Sequence, residues 1–167
     1  MSVNLAQSAK KILIDLINQD NGTTLVESAL TFGVPATHAG AKNTVVQATA
    51  TPDAGYTGTI NVFYNRINLA LIPGTRSKIF TVGTNVNLVD LIPAINARYL
   101  INLTPDDYIN IVLPVFSGAT PNQLLDFNVT IKSTSLIYFG TLILQLRRAD
   151  ISLSTIITDT TLSDLDF

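Results

Sequence analysis

Between Leu125 and Lys132 the chain alternates. Leu125, Phe127, Val129 and Ile131 are apolar, and Asp126, Asn128, Thr130 and Lys132 between them are polar. A period of two puts the first set on one face of an extended strand and the second set on the other. A slip of one residue would turn the whole apolar set towards water, so the register is firmly specified. Phe127, Val129 and Ile131 are therefore expected to face an apolar layer, with Asn128 and Thr130 facing away. A strand of this kind requires a sheet beside it and a core beneath it.

Several other segments supply partners. Thr24–Phe32 and Thr44–Ala50 read as strands, separated by a loop with Gly33, Pro35, Gly40 and the single histidine, His38. Thr51-Pro52-Asp53-Ala54-Gly55 is a turn. Thr57–Leu71 is the longest strand candidate, with bulky residues at both parities, which suits a strand buried on at least part of each face. Pro73-Gly74 ends it, and Lys78–Val82 follows as a short strand. Ile111–Phe116 is a further candidate, Ser117–Asn122 a loop, and Ser135–Arg147 a strand or hairpin around Gly140.

Helical spacing appears in two places. Val3, Leu5, Ala6, Ala9, Ile12, Leu13, Leu16 and Ile17 form a stripe on a helix that Ser2 can cap and that Asp20-Asn21-Gly22 ends. In the middle, Leu88–Tyr99 places Leu91, Ile92, Ile95 and Tyr99 on one face. Asn87 or Asp90 can cap it, and Pro93, tolerated only near a helix start, favours Asp90. Thr104-Pro105-Asp106-Asp107 reads as the start of a second, short helix ending near Asn110. Thr104 would be its cap, Pro105 its first residue, and the two acids would meet the positive end of the dipole. The expected architecture is α+β and mainly β: an antiparallel sheet or sandwich over residues 1–167, with an N-terminal helix and an inserted central helix pair.

Composition narrows the function classes. Charged residues make up 13% of the chain, about half the usual share. Mean hydropathy is +0.36. The apolar excess is nevertheless spread over short segments, none near the ~20 residues of a membrane span. The net charge of −2 argues against a nucleic-acid binder. Lys10–Lys11 and Arg147–Arg148 are short pairs rather than a basic stripe. There is no cysteine, which excludes disulfides and thiolate metal sites. The start of the chain lacks the basic and apolar regions of a signal peptide, so the sequons at Asn21, Asn102 and Asn128 read as chance products of an Asn- and Thr-rich chain.

No constellation suited to catalysis stands out. A lone His38 offers neither a metal set nor an acid–base dyad, and no nucleophile elbow or phosphate loop is present. Asp106 and Asp107 are explained as helix-start charges. Asp159, Asp164 and Asp166 lack an EF-hand pattern. Tyr56, Tyr64, Tyr99, Tyr108 and Tyr138 sit mostly in periodic segments, so packing explains them better than a sugar-stacking platform. No cofactor is expected.

Two stretches carry a resemblance: Asn61–Ile72, NVFYNRINLALI, and Leu88–Asn110, LVDLIPAINARYLINLTPDDYIN. Together they resemble a family of virion structural proteins of large contractile-tailed bacteriophages. The resemblance covers about the middle third of the chain and carries no catalytic residue. It implies a virion subunit assembled in the bacterial host cytoplasm, foremost a capsid decoration or cement protein in many copies, alternatively a tail or baseplate component. Its partners would be the major capsid protein or tail proteins, and further copies of itself. A non-catalytic glycan- or host-surface-binding module is the alternative from another class. Under the first reading at least one of the two ends, residues 1–20 and 150–167, acts as an intersubunit arm. Leu5, Ile12, Leu16, Ile156, Leu162, Leu165 and Phe167 are then the candidate contacts, while the plainer reading of the N-terminal stripe is that it packs on the protein's own sheet.

Overall fold

The first helix, α1, spans Ala9–Asn21. It starts later than expected because Ser8, not Ser2, caps it: the Ser8 Oγ accepts the Lys11 N–H at 3.1 Å. Upstream, Asn4 folds its side chain over the Ala6 N–H and holds a separate turn. The helix ends at Gly22, whose φ of +63° is the left-handed cap that glycine adopts without strain. A computed structural model describes residues 3–52, 54–83, 85–116 and 123–150. The Ser2 cap, the 117–122 loop and the tail residues Ile156, Leu162, Leu165 and Phe167 lie outside them, as do Asp159, Asp164 and Asp166.

Nine strands follow among the described residues: β1 Leu30–Phe32, β2 Ala36–Thr37, β3 Thr44–Ala50, β4 Thr59–Tyr64, β5 Ile67–Asn68, β6 Ile79–Val82, β7 Leu124–Thr130, β8 Tyr138–Phe139 and β9 Thr141–Arg148. They form three open sheets. In the first, β3 is central. β1 and β2 lie end to end along one side of it and β4 along the other, all antiparallel. In the second, β5 and β8 pair in parallel. In the third, β9 lies between β7, antiparallel, and β6, parallel. The mainly β, α+β class expected from the alternation therefore holds, with mixed as well as antiparallel pairing.

The expected register holds in β7. Phe127, Val129 and Ile131 are buried, Asn128 is exposed and Thr130 is half-buried. They pack with Leu142, Leu144 and Leu146 of β9, with Phe80 and Val82 of β6, and with the second helix, α2. That helix spans Leu88–Tyr99 as predicted and buries Leu91, Ile92, Ile95 and Tyr99. Its cap is Asn87 rather than Asp90. Asp90 serves from inside the first turn: its carboxylate accepts the Asn87 and Val86 N–H groups at 2.9 and 3.0 Å. Those two bonds hold the carboxyl below its ordinary range. Pro93 thus stands well inside the helix, on its exposed side, where the missing N–H costs one backbone bond.

Several expectations are corrected, beginning with Thr24–Phe32, of which only Leu30–Phe32 is strand. The second member of the helix pair is a single turn at Thr104–Asp107, after which the Ile109 N–H turns to the Thr130 carbonyl at the end of β7. Thr57–Leu71 is not one strand buried on both faces. Asn65 and Asn43 break it by exchanging side-chain bonds across the sheet end (Asn65 Oδ1 from Asn43 N–H, Asn43 Oδ1 from Arg66 N–H, both 2.8 Å), and β4 is an edge strand. Ile111–Phe116 forms no strand; it is tied to the start of α2 by an isolated bridge from Val112 to Asn87. Ser135–Arg147 is not a hairpin. Gly140, at φ +85°, bends the chain from β8 in one sheet to β9 in another.

α1 contributes Ile12 and Leu13 to the main core and Ile14 to a smaller cluster with Ala29, Leu30 and Ala48. Ile12 is 3% exposed, so it belongs to the protein's own core and not to an intersubunit contact. Leu5 and Leu16 pack partly against the same core. Among the described residues no helix is long and apolar enough to cross a membrane.

Candidate functional site

Among the described residues Asp107 is the buried carboxylate. The turn that follows Leu103 brings it inward, and it ends 3% exposed at the floor of a cleft of about 500 Å³. Ser8 and Lys10 of the α1 start, Phe32 at the end of β1 and Val34 after it, and Thr134 and Leu136 before β8 line the same cleft. Three donors reach the carboxylate. The Ser135 hydroxyl donates at 2.6 Å to Oδ1, and the Thr104 N–H and hydroxyl each donate at 2.9 Å to Oδ2.

This arrangement reverses the roles expected from sequence. Thr104 does not receive a backbone N–H on its hydroxyl; Asp107 caps the turn and Thr104 donates. The Ser135 hydroxyl donates a hydrogen bond to Asp107 and accepts one from the Tyr138 N–H at 3.3 Å. A nucleophilic serine needs a base that takes its proton during attack, and the carboxylate here already holds three hydrogen bonds. His38 cannot fill that role. Its half-buried ring stands edge-on to Phe63, with centroids 4.8 Å apart, and bonds the Lys42 carbonyl at 3.0 Å. The cleft is thus floored by a closed structural network. Burial together with the Asp107 charge pushes Tyr138 up to about 12, and burial pushes Tyr64 up to about 12 despite nearby Arg66.

Tyr64, Tyr99, Tyr108 and Tyr138 are buried and Tyr56 is exposed, so the tyrosines form no stacking platform. Among the described residues no group of three or more potential metal ligands comes together. Arg66 is bound by neutral oxygens, donating to Thr44 Oγ1 and to the Ser133 and Ser135 carbonyls.

Among the described residues the surface also exposes large apolar side chains. On the first sheet, β4 exposes Ile60 and Phe63, at 60% and 48%. Beside the start of α2, Val86, Val112 and Val115 are also exposed, Val115 at 87%. The Leu113 N–H to Val86 carbonyl bond, 2.8 Å, ties the two segments together, and Val86 and Val112 both line a groove of about 490 Å³.

Residues 2–167 match a family of unknown function, DUF7941. The chain belongs to that family. No curated protein and no solved structure matches it. The DUF7941 match spans both Asn61–Ile72 and Leu88–Asn110, and the structure gives them two different tasks. Leu88–Tyr99 is core scaffold, whereas Asn61–Tyr64 lies in the exposed edge strand. Sequence reasoning missed that edge because its bulky residues read as burial on both faces. No local signal in Thr59–Tyr64 separates the two cases, because an uncharged strand with bulky residues at both parities also fits burial.

Proposed function

We propose that this DUF7941 chain is a non-catalytic structural subunit of a contractile-tailed bacteriophage virion, a capsid decoration or cement protein present in many copies. The observation that carries the reading is the coincidence of the resembling stretch Asn61–Ile72 with an exposed, uncharged edge strand. A subunit seated among neighbours needs such a surface, whereas a free monomer normally blocks it. The second apolar surface, around Val86 and Val112, supports a subunit with more than one neighbour. The partners proposed are the major capsid protein and further copies of this chain, and the location is the virion.

Quantitative mass spectrometry of purified virions tests this. On the order of hundreds of copies per particle indicates the head, and a few dozen or fewer indicates the tail or baseplate, because copy number follows the symmetry of the assembly. Absence from purified particles overturns the virion reading altogether.

A further inference from the structure

The three sheets do not treat their edges alike. β6 points its odd residues away from β9, because the Lys78 and Val82 carbonyls accept from Gln145 and Ala149. That outer side is blocked: the Arg98 guanidinium covers Phe80 and donates to the Ile79 carbonyl. β7 carries Asp126, and its end is paired through Thr130 with Ile109. Charges, bulges, prolines and covering groups are the usual devices that keep sheet edges from pairing. Within Thr59–Tyr64, the sequence Thr-Ile-Asn-Val-Phe-Tyr contains no charge, no proline and no glycine.

The register tells which backbone groups lie open. The Ala50 N–H donates to the Gly58 carbonyl, and β3 pairs Thr49 with Thr59, Ala48 with Ile60 and Gln47 with Asn61. Hydrogen-bonded pairs alternate with non-bonded ones in an antiparallel ladder. Ile60, Val62 and Tyr64 therefore direct their backbone groups to β3. Thr59, Asn61 and Phe63 direct theirs to the free side, and no second strand pairs with β4 among the described residues.

We infer that β4 is a self-complementary contact that pairs antiparallel with β4 of a second copy, about a two-fold axis through Asn61. Such an axis stands perpendicular to the sheet, so opposite residues must share a face and the register must centre on a residue. Centring on Asn61 joins Thr59 to Phe63 of the copy, Asn61 to Asn61, and Phe63 to Thr59, which engages all three open residues on each side. Centring on Val62 instead would carry the pairing past the end of the strand at Tyr64. The Asn61 register also sets the overhanging Ile60 against Val62 of the copy, on the face that already packs against the core through Val62. The two four-stranded sheets become one continuous sheet with no open edge at its middle. This holds for a free protein as well as for one in a virion. A strand-edge contact is small beside a standard interface of about 1,600 Å², so the isolated pair is weak and a repeated assembly reinforces it.

The test uses the full chain. Sedimentation up to about 1 mM protein should show a reversible dimer, and amide hydrogen exchange should show Thr59, Asn61 and Phe63 gaining protection with concentration while Ile60 and Val62 stay protected throughout. Asn61→Lys and Asn61→Asp each place like charges opposite one another across the axis, on an exposed side chain the fold does not use. Each alone should weaken dimerisation at least tenfold, and an equimolar mixture should restore it as a heterodimer. Amide dispersion of each variant verifies folding. A monomer at every concentration overturns the inference. So does a dimer that protects another surface, or an Asn61→Lys variant that associates like the wild type.

Discussion

The Ser135 hydroxyl donates to the Asp107 carboxylate at 2.6 Å, joining two turns 28 residues apart inside the protein. The same carboxylate holds the Thr104 N–H and hydroxyl, so its removal strands three donors at once. Leaving buried groups unsatisfied costs more than losing one bond. Asp107→Ala is expected to lower stability by about 3 kcal/mol, and Thr104→Ala by about 1 kcal/mol. Urea unfolding of the two variants checks the order; equal losses would show that Thr104, and not Asp107, anchors the turn.

The β7 alternation makes a second, sharper expectation. Phe127 is buried against β9 and α2, whereas its neighbour Asn128 is exposed. Phe127→Ala should cost about 3–5 kcal/mol through lost burial and the cavity left behind, and Asn128→Ala about 0.5 kcal/mol or less. Thermal or urea denaturation reads both. A larger loss at Asn128 would mean that the strand is shifted by one residue.

These two sites differ in how far the sequence reveals them. The Phe127 face follows from a period of two, which nothing distant needs to supply. The span of α2 follows from spacing in the same way, although its cap is Asn87 and not the favoured Asp90. Thr104-Pro105-Asp106-Asp107 has every local mark of a helix start, yet the chain leaves after one turn, because Ile109 and Tyr108 find partners at Thr130 and Ile131, some twenty residues on. Competition of that kind is decided by tertiary pairing and is invisible to a local pattern. The same applies to the candidate surfaces: a bulky residue at each parity looks alike in a buried strand and in an edge strand, and only the absence of a second neighbour beside β4 separates them. Tyr64, Tyr99, Tyr108 and Tyr138, by contrast, are buried as their periodic sequence context suggests.

Alkaline pH should unfold the protein through Tyr64 and Tyr138. Burial raises both from 10 to about 12, with the Asp107 charge adding to the rise at Tyr138. The folded state thus holds these protons more tightly than the unfolded state. Their contribution is fully present below pH 10 and is lost between pH 10 and 12, at roughly 1.4 kcal/mol per pH unit for each tyrosine. Tyrosinate absorbance and circular dichroism, followed together, should show these two ionising with the unfolding transition. A Tyr64→Phe variant should lose part of this pH dependence; because the Tyr64 hydroxyl donates to the Leu136 carbonyl at 2.6 Å, it should also lose about 1 kcal/mol at neutral pH.

Arg98 makes the edge argument testable from the opposite side. Its guanidinium carbon stands 3.8 Å from the Phe80 ring centroid while the group donates to the Ile79 carbonyl, so one side chain covers both the face and the rim of β6. Removing it loses a cation–π contact, worth about 0.5–2 kcal/mol, and leaves an unblocked strand bearing the part-exposed Ile79. Arg98→Ala should therefore lower stability by about 1–2 kcal/mol and create a second adhesive edge, so that light scattering shows association beyond the dimer. Arg98→Lys keeps the charge but not the planar fork that stacks on Phe80 and reaches the carbonyl together. It should recover solubility, since a lysine still guards the edge, without recovering the full stability. If Arg98→Ala remains as monodisperse as the wild type, the outer side of β6 is protected by something other than this arginine, and the contrast between guarded β6 and open β4 loses its basis.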